Sequence, residues 1–181
     1  MIATTRLGTL ETIKRRDGST LTVCTRPDGG TFRSLSVPLL PRHGVHLQIS
    51  GTHLSELEDM HAKRIKGRKC APGQNFARHF RYVWARLPLK VRRSLLRHWR
   101  RGHVIVELST FGLGDFEAIC GNYGRSLRFR PYDDWSPRGR LVYATIAHEL
   151  AHTYRFAVGI HSNGLGPSTR AAMPRIFSSP R

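Results

Sequence analysis

The chain has 181 residues, with 30 Lys and Arg against 12 Asp and Glu, so its formal net charge is +18. Its hydrophobic content of 39%, with 3 Trp, 5 Tyr and 8 Phe, is too high for a charged disordered chain, and we expect a folded, very basic protein. No segment approaches the roughly 18 consecutive apolar residues of a membrane helix, and Met1–Leu10 lacks the apolar region of a signal peptide. We therefore expect neither a membrane partner nor secretion by the ordinary route.

Three widely spaced cysteines, Cys24, Cys70 and Cys120, form neither a disulfide framework nor a Cys-x-x-Cys metal motif. A reducing compartment is the simplest one for such thiols, so we expect a cytoplasmic protein. The sequence leaves the oligomeric state open.

The first fifty residues predict short strands joined by tight turns. Asp17-Gly18 and Asp28-Gly29 lie eleven residues apart, and Asp-Gly favours a hairpin because its two positions tolerate positive φ. These turns delimit four candidate strands, Leu10–Arg15, Leu21–Arg26, Thr31–Val37 and Val45–Ile49. We assign residues 1–55 to a small β-meander module and residues 56–181 to a second domain.

A strongly basic segment follows, from His61 to Arg101, which holds fourteen of the 30 Lys and Arg residues and no Asp or Glu. Apolar residues recur there at helical spacing and Pro88 favours a second helix start, so the segment predicts two amphipathic helices. Their polar faces carry Arg78, Arg81, Arg86, Arg92, Arg93, Arg97 and Arg100. A surface of one charge sign predicts sequence-nonspecific nucleic-acid binding, with attraction to acidic proteins or a solvated basic surface as alternatives.

Two strands and a helix are predicted after the basic segment. The strands are His103–Leu108 and Ser126–Arg130, and the glycine-rich stretch between them predicts turns and bulges because it lacks the spacing of a phosphate-binding loop. Ser126–Arg130 is expected to be an edge strand that lines a substrate cleft and pairs with extended peptide. The helix covers Leu141–Tyr154, with Ser136 as its N-cap and Pro137 at its first position.

This helix carries a His-Glu-x-x-His motif. His148 and His152 are four residues apart, so both imidazoles project from one helix face and can bind one zinc ion. Glu149 lies on the adjacent part of the helix surface, where it can accept a proton from a water bound to the metal. The motif predicts a zinc centre with His148 and His152 as ligands and Glu149 as the general base.

A catalytic zinc site of this kind needs a third protein ligand. The chain contains no Asp, Glu or Cys after Glu149, and Val158 stands where the extended metzincin motif has its third histidine. His161 is then the one downstream histidine, and Gly159 is suited to end the helix and turn the chain back. We predict His161 as the third ligand; alternatively His161 is a loop residue, and a water or an upstream residue completes the site.

The stretch from about Val104 to Ile176 resembles the SprT-like zinc metalloprotease family, which includes the Spartan proteases. Thr145–Phe156 is similar to the active-site helix of that family, and Cys120–Phe129 is similar to its glycine-containing turn and edge strand. Family members usually carry a downstream Gly-His-Gly-Pro whose histidine is the third ligand, whereas this chain reads Gly164-Leu165-Gly166-Pro167. The resemblance implies a zinc protease that acts on proteins associated with DNA.

Together these features predict an α+β fold: a zincin-like mixed sheet with an active-site helix, preceded by two basic helices over residues 61–101 and by the N-terminal meander. The catalytic core is expected over residues 103–176. The predicted function is a zinc-dependent metalloendopeptidase for protein or peptide substrates, recruited to DNA or to DNA-bound proteins. The alternative is a basic nucleic-acid-binding or scaffold protein whose metal site is structural or vestigial.

Overall fold

The computed structural model describes residues 2–5, 8–64, 72–110, 112–131 and 139–160. Within these ranges the chain forms eight strands and four α-helices. The strands are β1 (Ile2–Thr5), β2 (Gly8–Lys14), β3 (Thr20–Thr25), β4 (Thr31–Leu40), β5 (Val45–Ser50), β6 (Ile105–Leu108), β7 (Ala118–Gly121) and β8 (Ser126–Phe129). The helices are α1 (Thr52–Arg64), α2 (Gln74–Arg86), α3 (Leu89–Arg100) and α4 (Gly139–Ala157). Among the described residues, no helix is long and apolar enough to cross a membrane.

The N-terminal meander forms as predicted, and two Asp-Gly turns shape it. In the first turn, Asp17 Oδ1 accepts hydrogen bonds from the Ser19 backbone amide at 2.9 Å and from the Ser19 hydroxyl at 2.6 Å. Gly18 has a φ of 80° and Gly29, in the second turn, a φ of 82°, which an L side chain rarely adopts. The side chain of Asp28 again accepts from the amide two residues further on. Local turn chemistry therefore sets the register of β2, β3 and β4.

All eight strands of the described residues join one mixed sheet in the order β1-β2-β3-β4-β5-β6-β8-β7. Each strand from β1 to β5 is antiparallel to the next. β6 pairs parallel with both β5 and β8, and β7 is antiparallel to β8. The meander thus continues through the β5–β6 pairing into the sheet of the second half. The boundary predicted between residues 55 and 56 falls inside α1, and the division into two domains stays a prediction.

The zincin-like arrangement predicted from the sequence is wrong, because the structure has a sheet-rich α+β fold with a different strand order. Ser126–Arg130 was expected at the edge of the sheet, but it forms β8, which lies between β6 and β7. Among the described strands, the edge strand at this end of the sheet is β7, which lies inside the glycine-rich stretch that predicted turns and bulges. With four residues, β7 is too short to show a period of two. It is a strand because it pairs with β8, in a register that runs from Ala118 opposite Phe129 to Gly121 opposite Ser126.

One face of the sheet packs against the helices. Alternate residues of β4 are buried, as Leu35 and Val37 show, while Ser34 and Ser36, which alternate with them, are only half-buried. Phe129 of β8 contacts Phe76 of α2, with ring centroids 4.9 Å apart, and Ile146 of α4 belongs to the same core. This single packed face holds α4 against the β7 end of the sheet.

The two predicted basic helices are α2 and α3, joined at Leu87 and Pro88. Their tryptophans, Trp84 and Trp99, stack with ring centroids 5.6 Å apart. The Trp99 indole donates a 3.2 Å hydrogen bond to the Gly124 carbonyl, in the turn between β7 and β8. These two tryptophans are therefore structural, and Trp99 ties α3 to the part of the sheet that faces α4.

Candidate metal centre

Helix α4 carries the three residues of the predicted centre. His148 Nε2 and His152 Nε2 are 2.9 Å apart, close enough for one neutral imidazole to donate a hydrogen bond to the other. The His148 side chain is exposed and the His152 side chain is half-buried, whereas Glu149 is only 4% exposed. Ser136 and Pro137, which were predicted to begin this helix, lie outside the described residues. The structure therefore brings both imidazoles and the carboxylate together within about one helical turn.

A close backbone approach fixes the position of α4. Gly124 follows β7 with a φ of 79°, and a Cβ on it would lie 3.0 Å from the Thr153 Cα atom. The buried Thr153 hydroxyl donates to the Glu149 carbonyl at 3.1 Å and lies 3.6 Å from Cys120 Sγ of β7. Because glycine leaves room for this contact, the turn between β7 and β8 packs directly on the helix, one residue beyond the second histidine.

Two cavities meet at His148 and Glu149, between β7 and α4. The first has a volume of about 360 Å³. It is lined by Phe116, Ala118, Ile119, Cys120, His148, Glu149, His152, Arg155, Phe156 and Ile160. The second has a volume of about 350 Å³ and is lined by Phe116, Glu117, Ala118, Ala144, Thr145, His148 and Glu149. Together they form a groove that passes over the His-Glu-x-x-His motif.

The electrostatics of the groove suit a metal centre with a base. Burial raises the pKa of the Glu149 carboxyl to about 7. Its Oε2 atom is buried and has no hydrogen-bond partner within the described part of the chain. Burial, together with the charges of His148 and Arg155, lowers the pKa of His152, which favours the neutral imidazole that binds metals. A cation held by the imidazoles would compensate the buried carboxylate.

The imidazole pair fits a zinc ion after a small adjustment. Two nitrogens at about 2.1 Å from a tetrahedral zinc lie about 3.4 Å apart, compared with 2.9 Å between the two Nε2 atoms here. The exposed His148 ring has room for the small rotation that opens this gap. No third His, Cys, Asp or Glu completes a metal-binding group among the described residues. His161 and the Gly164–Pro167 segment lie outside those residues, so the third ligand stays a prediction.

The seven arginines predicted to bind nucleic acid differ in their surroundings. They lie on α2 and α3: Arg78, Arg81, Arg86, Arg92, Arg93, Arg97 and Arg100. Arg81 donates to two backbone carbonyls at the end of β4, and Arg86 lies 3.3 Å from the centre of the Tyr82 ring. Arg93, Arg97 and Arg100 of α3 are exposed and make no hydrogen bond or ion pair with other described residues. These three, spaced four and three residues apart, form one row along the helix, which we call the α3 arginine row.

Sequence reasoning missed the walls of the groove. The strand β7 supplies Ala118, Ile119 and Cys120, and the exposed Phe116 and Ile160 flank the first cavity. Phe116 and Ile160 are isolated apolar residues in turn-rich stretches, so no periodicity marked them. Only the pairing of β7 with β8 brings this segment beside α4.

A search of protein-family models, of curated proteins and of solved structures finds no match to this chain. The resemblance to SprT-like proteases therefore stays a prediction. The functional argument for this chain depends on the geometry of its own residues.

Proposed function

We propose that this chain is a zinc-dependent metalloendopeptidase. The observation that carries the proposal is the arrangement of three side chains at the meeting point of two cavities. The Nε2 atoms of His148 and His152 are 2.9 Å apart, and beside them the buried Oε2 of Glu149 has no hydrogen-bond partner among the described residues. When bound, zinc supplies a Lewis acid and lowers the pKa of a coordinated water to about 7. Burying a carboxylate without a partner is costly for folding alone, which favours a functional role for it.

Each residue of the motif has one role. His148 and His152 would hold the ion through Nε2, and His161 is the proposed third ligand. Glu149 accepts a proton from the attacking water at Oε2 and transfers it to the amine that leaves when the peptide bond breaks. Because burial raises the pKa of Glu149 to about 7, the carboxylate is a stronger base than an exposed glutamate at neutral pH.

The edge of β7 supplies a place for the substrate backbone. Among the described strands β7 pairs only with β8, so its other side offers backbone donors and acceptors beside the groove. An extended peptide that pairs with this edge would pass over His148 and Glu149. The role first expected of Ser126–Arg130 therefore belongs, in this proposal, to the neighbouring strand.

The α3 arginine row supports a second candidate function, sequence-nonspecific nucleic-acid binding. Neither α2 nor α3 contains an Asp or Glu, and Arg93, Arg97 and Arg100 are exposed without partners among the described residues. Such a row can contact successive phosphates and release counterions. We propose that it recruits the peptidase to nucleic acid or to proteins bound there. The thiols of Cys24 and Cys120 are free, and we propose a cytoplasmic location for the protein.

The test of the peptidase is zinc content together with proteolysis. Wild type is expected to bind one zinc per chain and to cleave an unfolded protein such as casein. In Glu149→Gln, zinc should remain while cleavage falls by about 10²- to 10⁴-fold, the usual contribution of a general base. Replacement of the exposed Glu11 by Gln is the matched control and should leave both quantities unchanged. Absence of stoichiometric zinc, or equal cleavage by wild type and Glu149→Gln, would disprove the proposal.

A further inference from the structure

The groove over the metal centre is asymmetric, because its two cavities have different walls. Beyond the shared residues, the first cavity adds mainly apolar side chains, and we call it the apolar lobe. Those added apolar side chains are Ile119, Cys120, Phe156 and Ile160, and the two added polar side chains are His152 and Arg155. The second cavity adds Glu117, Ala144 and Thr145, and we call it the polar lobe. A peptide that crosses the metal centre would place residues from opposite sides of the scissile bond in the two lobes.

We infer that the apolar lobe selects a large apolar side chain, such as Phe, Leu or Met, at one position next to the scissile bond. This inference rests on the proposed peptidase function and names the substrate class of the same site. It predicts selectivity on one side of the cleaved bond only. The polar lobe offers no comparable apolar surface, so it should accept small and polar residues.

Exposed apolar side chains at the mouth of the apolar lobe support this inference. Phe116 is 65% exposed and Ile160 is 54% exposed, although both are large and apolar. They come from distant parts of the sequence, just before β7 and just after α4, and the fold brings both to the apolar lobe. Phe116 also lines the polar lobe, whereas Ile160 lines the apolar lobe alone. A ligand side chain that covers them removes apolar surface from water, which stabilises the complex.

The far wall of the apolar lobe is formed before any ligand binds. The Phe156 ring is half-buried and contacts the Tyr123 ring edge to face, with centroids 6.1 Å apart. The Tyr123 backbone is held in the left-handed region, with a φ of 54°, and its carbonyl accepts a 2.8 Å hydrogen bond from the His98 ring of α3. This support lets the lobe bind a side chain without first ordering its own wall.

The volume of the apolar lobe is sufficient for a large side chain. A volume of about 360 Å³ is near the lower end of the range for ligand sites, which is about 300–1,000 Å³. Part of that volume lies over His148 and Glu149, where the peptide backbone passes. The remainder is large enough for one aromatic or branched aliphatic side chain.

The side chains that line the polar lobe differ from those of the apolar lobe in both size and charge. Ala144 and Thr145 are small, and the Glu117 carboxylate lies 4.0 Å from the Arg130 guanidinium. A large apolar residue placed there would meet the Glu117 carboxylate, with only Phe116, Ala118 and Ala144 as apolar partners. The asymmetry therefore comes from the second half of α4, where Phe156 and the following Ile160 have no equivalent in the polar lobe.

Two measurements test the inference. In the first, the zinc-loaded wild type digests a peptide library, and mass spectrometry records which residues flank each cut. In the second, fluorescein-labelled nine-residue Gly/Ser peptides with one central Phe, Leu, Ser or Glu bind to zinc-loaded Glu149→Gln, and anisotropy gives Kd. We expect enrichment of large apolar residues at one flanking position, and binding of the Phe and Leu peptides at least about tenfold tighter than the Ser peptide.

The variant for both measurements is Ile160→Ser, made in wild type for the digest and in Glu149→Gln for the binding assay. Its matched control is Leu89→Ser, because Leu89 on α3 is 53% exposed and lies outside the groove. Both substitutions are at exposed positions, where changes usually alter the free energy of unfolding by less than about 0.5 kcal/mol. Ile160→Ser should reduce the apolar preference about threefold or more, and Leu89→Ser should leave it intact.

The outcomes separate the inference from the function on which it rests. Cleavage without enrichment, or with equal enrichment on both sides of the cut, overturns the inference and leaves the peptidase proposal standing. No cleavage, but an apolar preference in binding that Ile160→Ser reduces, overturns the peptidase proposal and supports the apolar lobe. Neither cleavage nor a binding preference overturns both.

Discussion

Replacing Glu149 by Leu should make the metal-free protein more stable while abolishing its activity. The side chain is 4% exposed, and its Oε2 atom has no hydrogen-bond partner among the described residues. An unsatisfied buried polar group costs about 1–3 kcal/mol, and more when it is charged. Leu has a similar size and removes the polar atoms, so the free energy of unfolding should rise by about 2 kcal/mol.

The assay is urea unfolding at neutral pH in the presence of a chelator, followed by circular dichroism. For a chain of this size, a gain of about 2 kcal/mol corresponds to a rise in Tm of roughly 4–8 °C. Glu11→Leu, at an exposed position, should change the free energy of unfolding by less than about 0.5 kcal/mol. A loss of more than about 1 kcal/mol in Glu149→Leu would refute the reasoning, because it would mean that the carboxylate stabilises the fold.

Three further predictions concern the first turn, the thiol of β7 and the α3 arginine row. Burial would raise the pKa of the Asp17 carboxyl, but hydrogen bonds from Ser19 and Gln74 outweigh it and hold the pKa below its ordinary value. Asp17→Ala should therefore lower the free energy of unfolding by about 1 kcal/mol at pH 7, and this difference should disappear as the pH falls below the folded-state pKa. Burial raises the pKa of the Cys120 thiol to about 11, so iodoacetamide should alkylate Cys120 about a hundredfold more slowly than an ordinary thiol at pH 8, with a rate that rises up to about pH 11. Changing all three arginines of the α3 row to Gln should weaken duplex DNA binding and reduce the slope of log Kd against log salt by about three.

Each of these predictions has a result that contradicts it. If Asp17→Ala differs from wild type by the same amount at pH 3 and pH 7, the carboxylate is not the stabilising form. If mass spectrometry of the metal-free protein finds Cys120 alkylated as fast as Cys24, the thiol is not buried as described. If the Gln triple variant keeps the wild-type salt slope while Arg81→Gln reduces it, the phosphate contacts lie on α2.

Much of the local structure could be predicted because its causes are local. Asp17 and Asp28 each accept a hydrogen bond from the amide two residues on, so the turns depend on a few adjacent residues. The same holds for the pairing of His148 with His152, which follows from a spacing of four residues on any helix. Helices α2 and α3 were predicted from apolar periodicity for the same reason.

The order of the strands could not be predicted, because it depends on pairings between distant segments. β7 has four residues and no hydrophobic pattern. It becomes an edge strand because it pairs with one side of β8, while the other side of β8 pairs with β6. The expected edge position of Ser126–Arg130 failed for this reason. A period of two marks a strand as half-buried, but it carries no information about its neighbours.

The sequence by itself determined the hairpin turns, the basic helices and the paired histidines, since each depends on residues within one or two turns of chain. Only the tertiary structure decided that Glu149 is buried, that three arginines of α3 remain without partners among the described residues, and that Phe116 and Ile160 flank one cavity. Whether a side chain is buried, and whether it is free to contact a ligand, depends on the residues that pack around it. In this chain, the packing of β7 beside α4 forms an asymmetric groove over the His-Glu-x-x-His motif.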